Sequence, residues 1–465
     1  MSDSYTAFLA TKSTVAQPVG FEADDLHPSL FAFQRDIATW ALRQGRCAIF
    51  ADTGLGKTRM QLEWARQVSA RVGRVLILAP LAVAAQTARE GASLGTPVAL
   101  CHESSDVGPG ISVTNYDRLH RFDPSLFGAI VLDESSCIKH HDTKTLAMLM
   151  AAFGDTPYKL AATATPAPND FAELGTHAEF LGICTRAEML SEYFVHDGSD
   201  TQSWRLKGHA RGHFWRWVAS WGALIRRPSD LGYDDSGYAL PPLTVKHHVA
   251  PTDTETLRNM GVLFAEQARD LTERRNARKA SIAKRVQMVA DLVNADDEQW
   301  IVWGDFNAET EGVAKLVPDA VEVAGSDDPD DKAQAMLDFA DKKIRVLVTK
   351  SSIAGFGLNW QNCARMAFVG VSDSWESYYQ AVRRCYRFGQ KRGVNVHIFS
   401  SEAEGSVIDN LKRKEADAKR MADELSAETC EALRSNILRR ARRHTLYEPS
   451  AAIALPKWLR SNANG

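Results

Sequence analysis

Two series of short apolar runs, each alternating with segments of helical periodicity, constrain this chain more than any other feature. "RCAIFA" (46–51), "RVLILAP" (74–80), "ISVTNY" (111–116), "AIVLDE" (129–134) and "KLAATAT" (159–165) form the first series. "QWIVWGD" (299–305), "AVEVAGS" (320–326), "IRVLVTK" (344–350), "RMAFVGV" (365–371) and "VNVHIFS" (394–400) form the second. A continuous apolar run of strand length suits a strand covered on both faces. The alternation therefore predicts an α/β fold in two lobes, each a parallel sheet covered by helices. At 465 residues the chain also exceeds one compact core.

"GYALPPL" (237–243) breaks the chain between the two series, so the boundary is placed between Leu240 and Ala250. The expected layout is a loose segment over 1–27 and a first lobe over 28–243, carrying an aromatic and basic insertion at about 185–235. A second lobe over 244–420 and a helical tail over 421–465 follow.

Charge excludes a global basic field: 55 Lys and Arg oppose 58 Asp and Glu, a formal net charge of −3. Any nucleic-acid contact must come from local patches. Seven cysteines without a CxxC pair argue against a zinc ribbon or a disulfide scaffold and for a reducing compartment. No apolar run is long enough for a bilayer, and "MSDSYTAFLATKSTVAQPVG" lacks the pattern of a signal peptide. The expectation is a cytoplasmic protein with no membrane partner.

"CAIFADTGLGKTRMQLEWA" reads as strand, glycine-rich turn, helix. Backbone N–H groups at such a turn cradle phosphates. Gly54 and Gly56 permit the close approach, Lys57 supplies a point charge, and Thr58 offers a hydroxyl to Mg²⁺. Ala51 stands where the strict pattern has glycine. "AIVLDESSCIK" adds a carboxylate at a strand end, Asp133, suited to Mg²⁺, and Glu134, suited to orient or deprotonate a water. Together they predict ATP and Mg²⁺ at one site. "QAVRRCYRFGQKRG" (380–393) holds five cations. By itself it fits a nucleic-acid backbone, a surface helix or a bound phosphate.

In order along the chain, these segments resemble the Swi/Snf-type ATPases of helicase superfamily two, and most of all the small phage and prophage members. The resemblance covers roughly residues 28–410. "LFAFQRDIATWAL" resembles the motif whose glutamine, here Gln34, reads adenine. "ADTGLGKT" is similar to motif I, which implies that Thr53, Gly54, Leu55, Gly56, Lys57 and Thr58 hold nucleotide. "LILAPLAVAAQTARE" resembles motif Ia, with Thr87 at a usual tryptophan position, and "VTNYDRL" resembles motif Ib. "DESS" stands as motif II, with Ser135 and Ser136 in place of Ala-His. "LAATATPAPNDFAEL" resembles motif III, which implies a coupling role for Thr163 and Thr165. "IRRPSDLGYDDSGYALPP" is similar to the elements joining the lobes in that family.

"TKSSIAGFGLNW" resembles motif V, which implies nucleotide contact at Gly355, and "QAVRRCYRFGQ" resembles motif VI. Gln380, Arg384 and Arg387 fit QxxxRxxR, so the resemblance assigns them, with Glu134, to catalysis. Three apart on a helix, Arg384 and Arg387 are expected to share a face and reach the γ-phosphate. Arg383 stands at a usual glycine position, and its loss is expected to be mild. The resemblance also implies DNA contacts at Pro80, Thr114, Lys350 and Ser351, mostly through phosphates. It points to ATP-driven movement on duplex DNA; strand separation on DNA or RNA, or a nucleotide-gated clamp without turnover, are the alternatives. Protein partners are not readable, and a bacterial or phage-infected cell is the implied setting.

Three segments stay open. "TERRNARKASIAKR" (272–285) and "LRRARRH" (438–444) suit either DNA phosphates or solvent. "SWRLKGHARGHFWRW" (203–217) suits base stacking or, more readily, a small packed subdomain. His140, His141 and Asp142 are not read as a metal site, because adjacent residues do not share a helix face.

Overall fold

The computed structural model describes residues 16–138, 143–167, 170–197, 200–251, 279, 281–354, 359–371, 374–401, 413–416, 420 and 429–438. The first lobe opens with α1 (Ala32–Gln44), β1 (Arg46–Ala51), α2 (Lys57–Val72), β2 (Arg74–Ala79), α3 (Leu81–Ser93) and β3 (Val98–Leu100). It continues through β4 (Gly110–Asn115), β5 (Ala129–Asp133), α4 (Lys144–Phe153), β6 (Tyr158–Thr163), α5 (Leu174–Leu181) and α6 (Arg186–Tyr193). The hairpin β7 (Phe194–Asp197) and β8 (Asp200–Leu206), α7 (Arg211–Trp221) and β9 (Gly222–Ile225) complete it. Its sheet runs β3-β4-β2-β5-β6-β1-β9, and every pairing is parallel.

β10 (Leu243–Ala250) begins the second sheet. α8 (Ile282–Val293), β11 (Trp300–Gly304), α9 (Asn307–Leu316), β12 (Ala320–Val323), α10 (Pro329–Ala340) and β13 (Val346–Lys350) follow. β14 (Arg365–Phe368), α11 (Trp375–Val382) and β15 (Val394–Ser401) end it. The order is β10-β15-β14-β11-β13-β12, again all parallel. The predicted two-lobe α/β architecture is therefore present. Alternation along β11 explains why helices cover both faces: Ile301 and Trp303 enter one core, Trp300 and Val302 the other. Among the described residues no helix is long and apolar enough to cross a membrane.

The aromatic insertion takes the packed alternative. Trp215, Trp217 and Trp221 are buried in the first core, with Phe171 edge-on to Trp215 at 4.9 Å. Residues 429–438 also return to this core through Ala432, Leu433 and Ile437. Arg434 secures them by donating to the carbonyls of Ser229 and Asp230 at 2.8 and 2.9 Å.

One basic candidate changes meaning. Arg285, within 272–285, is fully buried, and its Nη1 donates to Glu309 at 2.7 Å and to the Val369 carbonyl. Glu309 in turn accepts from the Asp305 and Phe306 N–H groups at 2.8 and 3.0 Å. Arg285 is therefore a structural cation linking α8, α9 and the end of β14, not a DNA contact. Glu309→Ala leaves that charge buried without its counter-charge, so it is expected to cost about 3–5 kcal/mol, read as a lower denaturant midpoint at unchanged slope. Lys279 and Lys284 are exposed, while 272–278 and 280 lie outside the described residues, as do 139–142 and all of 438–444 except Leu438.

Candidate functional site

The phosphate loop follows β1 and opens α2. Gly54 and Gly56 both have positive φ, +89° and +80°. A Cβ on Gly56 would lie 2.3 Å from Gln34 Nε2, and one on Gly54 would lie 2.8 Å from Phe388. Both positions therefore need glycine for conformation and for space. Gln34 is fixed in turn: its Nε2 donates to the Leu55 carbonyl at 2.9 Å, and its Oε1 accepts from the Phe31 N–H at 3.0 Å. Thr53 and Thr58 line the same cavity.

Lys57 Nζ donates to the Ala51 carbonyl at 2.8 Å. Burial lowers its pKa, against the pull of Glu134 and Asp52. Asp133, at the end of β5, accepts from Gln61 Nε2 at 2.9 Å. Burial pushes its carboxyl up to about 6. Glu134 sits next in the left-handed region at φ 54°, a strained conformation for a non-glycine residue. Its Oε1 accepts from Thr163 at 2.8 Å. Ser135 pairs with buried His177 at 3.1 Å, which anchors this turn to α5.

The opposite wall comes from the second lobe. Arg384, Arg387, Arg383, Gln380 and Phe388 join Lys57, Thr58, Asp133 and Glu134 around one cavity of about 330 Å³. That volume suits a small-molecule site. Burial, then the Arg387 charge, pushes Arg384 down to about 9; burial pushes Arg387 down to about 10. Two buried cations that oppose each other favour an anion between them. Thr165 bridges the lobes, donating to Glu376 at 3.3 Å and accepting from Gln380 Nε2 at 3.4 Å.

The expected shared helix face for the arginines is corrected. α11 ends at Val382, and Arg384 and Arg387 stand on the turn beyond it. Tertiary groups take the carbonyls that a continuing helix would need: the Trp360 N–H binds the Arg384 carbonyl at 2.9 Å, and Gln390 Nε2 binds that of Cys385 at 3.2 Å. The turn still delivers both side chains to the cavity.

Arg383 is also in the cleft. Its Nη2 lies 3.6 Å from Asp52 Oδ2, across the lobe boundary. Tyr379 donates to Asp52 Oδ1 at 2.9 Å. Burial raises the Asp52 pKa, but Arg383, the Thr53 N–H and Tyr379 outweigh it and hold the carboxyl below its ordinary value. Sequence reasoning missed this pair and the aromatic wall of Phe31, Tyr238 and Phe388, in which Tyr238 and Phe388 stack at 4.5 Å. The one available signal was Phe388 beside Arg387 in "RFGQ".

The four residues assigned to DNA fall into two groups. Pro80, Lys350 and Ser351 lie just beyond or at the ends of β2 and β13, partly exposed, with Lys350 Nζ donating to Asn307. Thr114 differs. It is 1% exposed, on an interior strand against which α2 and α3 pack, so its side chain does not reach the surface. Gly355 lies outside the described residues.

Residues 284–389 match the family model of the helicase conserved C-terminal domain. No curated protein matches the chain. Among solved structures, the Sulfolobus solfataricus SWI2/SNF2 ATPase core in complex with dsDNA is similar at 17% identity, over 90% of this chain and 98% of that one, with a TM-score of 0.42.

Proposed function

We propose that this chain is a DNA-stimulated ATPase that moves along duplex DNA. The observation that carries the reading is the single cavity where Lys57, Asp133 and Glu134 of one lobe face Arg384 and Arg387 of the other. A triphosphate there would meet the backbone of the glycine turn and Lys57 on one side and two guanidiniums on the other. In hydrolysis, a water oxygen bonds to the γ-phosphorus, the bond to the β,γ-bridging oxygen breaks, and ADP and phosphate leave. Glu134, held by Thr163, orients that water and accepts its proton. Arg384 and Arg387 stabilise charge on the transferring group.

Thr58 and Asp133 fit Mg²⁺: a hydroxyl and a buried strand-end carboxylate, which a cation would keep ionised. When bound, Mg²⁺ supplies neutralisation of phosphate charge.

Thr163 touches Glu134, and Thr165 touches Glu376 and Gln380 on the second lobe, so the state of the cleft reaches both sheets. Nucleotide that favours the closed arrangement, and products that do not, give cyclic closure. If each lobe grips backbone phosphates, closure becomes translocation with little dependence on base sequence. The resemblance to duplex translocases and the match at residues 284–389 support this reading.

The test is displacement of a triplex-forming strand. ATP is expected to drive its release from duplex DNA, with little separation of the duplex itself. Efficient unwinding of a blunt duplex would replace this reading with that of a strand-separating helicase.

A further inference from the structure

We propose that Asp52, Tyr379 and Arg383 form a clasp between the lobes, in which Arg383 is a positioning residue that cancels a negative charge in the phosphate loop when the cleft closes. The proposal rests on the ATPase reading and extends it to control of nucleotide affinity.

The phosphate loop carries an electrostatic contradiction. Asp52 is two residues before Gly54, in the segment meant to receive a polyphosphate. Its Oδ1 accepts from its neighbour's N–H at 2.6 Å and from Tyr379 at 2.9 Å, so the carboxylate is held in place. Unopposed, that fixed negative charge repels the nucleotide. Lys57 of the same loop opposes it in part, and the larger opposing charge comes from the other lobe: Arg383 Nη2 lies 3.6 Å from Asp52 Oδ2. Arg383 is itself positioned by two rings, with its guanidinium 5.1 Å from the Tyr379 centroid and 5.6 Å from that of Tyr386.

Arg383 and Tyr379 both belong to the α11 region, whereas Asp52 follows β1. Opening the cleft therefore breaks both contacts together and exposes the loop's negative charge. Closing it removes that charge from the nucleotide's surroundings. Arg383 and Asp52 side chains are only 20% and 19% exposed, so solvent screens the pair weakly. Closure and nucleotide affinity are thereby linked, and linkage is reciprocal.

Arg383 thus acts through Asp52, unlike Arg384 and Arg387, and this gives a test by rescue. In place of the mild effect expected from the sequence, Arg383→Ala in the full chain is expected to raise the KM for ATP about tenfold, within the usual range for a coupled pair, with a smaller change in kcat. Asp52→Asn keeps the hydrogen bond to its neighbour and removes the charge. Alone, it is expected to lower KM. Combined with Arg383→Ala, it is expected to restore KM to near the wild-type value. Thermal unfolding of each variant separates misfolding from the effect sought.

If Arg383→Ala lowers kcat and Asp52→Asn gives no rescue, Arg383 contacts the phosphates itself and the clasp is wrong. Unchanged KM in Arg383→Ala also overturns it. Absence of ATP turnover in the wild type would instead remove the ATPase reading on which the clasp stands.

Discussion

Glu134→Gln is expected to retain nucleotide binding and lose about 10²–10⁴-fold in turnover, the range for removal of a positioned general base. The substitution is close to isosteric. The amide oxygen still accepts from Thr163, which holds the side chain at 2.8 Å in the wild type. It also leaves the left-handed backbone at φ 54° as strained as before, so folding is not the variable. What disappears is an acceptor for the water's proton. Lys57→Ala is expected to give the complementary result: binding weakens, because the cavity loses the ammonium proposed to meet the phosphates. Fluorescent-nucleotide titration and phosphate release measure the two separately. Near-normal hydrolysis by Glu134→Gln in the presence of DNA would show that another group performs the proton transfer.

Arg384→Ala and Arg387→Ala are expected to lower the hydrolytic rate by as much as ~10³–10⁵-fold, and by less if the two share the role. Their setting explains the size. Both guanidiniums line the cavity with Glu134, and burial depresses both pKa values, to about 9 and about 10, while leaving them cationic at neutral pH. Such charges act in a poorly screened site. Arg384→Lys keeps the charge and loses the planar fork, so partial loss there identifies bidentate geometry as the cause. DNA affinity is expected to change little. If these variants instead lower DNA affinity and its salt slope while the basal rate persists, the arginines bind nucleic acid.

The local features were legible because local chemistry dictates them. "ADTGLGKT" needs two positive-φ glycines whatever surrounds it, and the fully buried strands announce themselves by apolar content. Elements that depart from that pattern were not seen. β9 has four residues and begins at Gly222, immediately after α7, so its run is too short to stand out as a strand. β10, "LTVKHHVA", is an exposed edge strand and carries no continuous apolar run. β3 has three residues. The burial of Thr114 follows from the helices packed against β4, which a threonine in a short run does not reveal. The end of α11 depends on carbonyl partners from Trp360 and Gln390, and the contact of Tyr379 with Asp52 spans 327 residues. Spacing along the chain carries no information about either.

The most direct test of the central claim is the steady-state ATPase rate of the wild-type chain against duplex DNA, single-stranded DNA and RNA, each at several salt concentrations. Unrelated duplexes are expected to stimulate turnover to a similar degree, and the stimulation is expected to fall as salt rises, because phosphate contacts release counterions. Turnover that no nucleic acid changes, or that RNA stimulates and duplex DNA does not, would contradict the account.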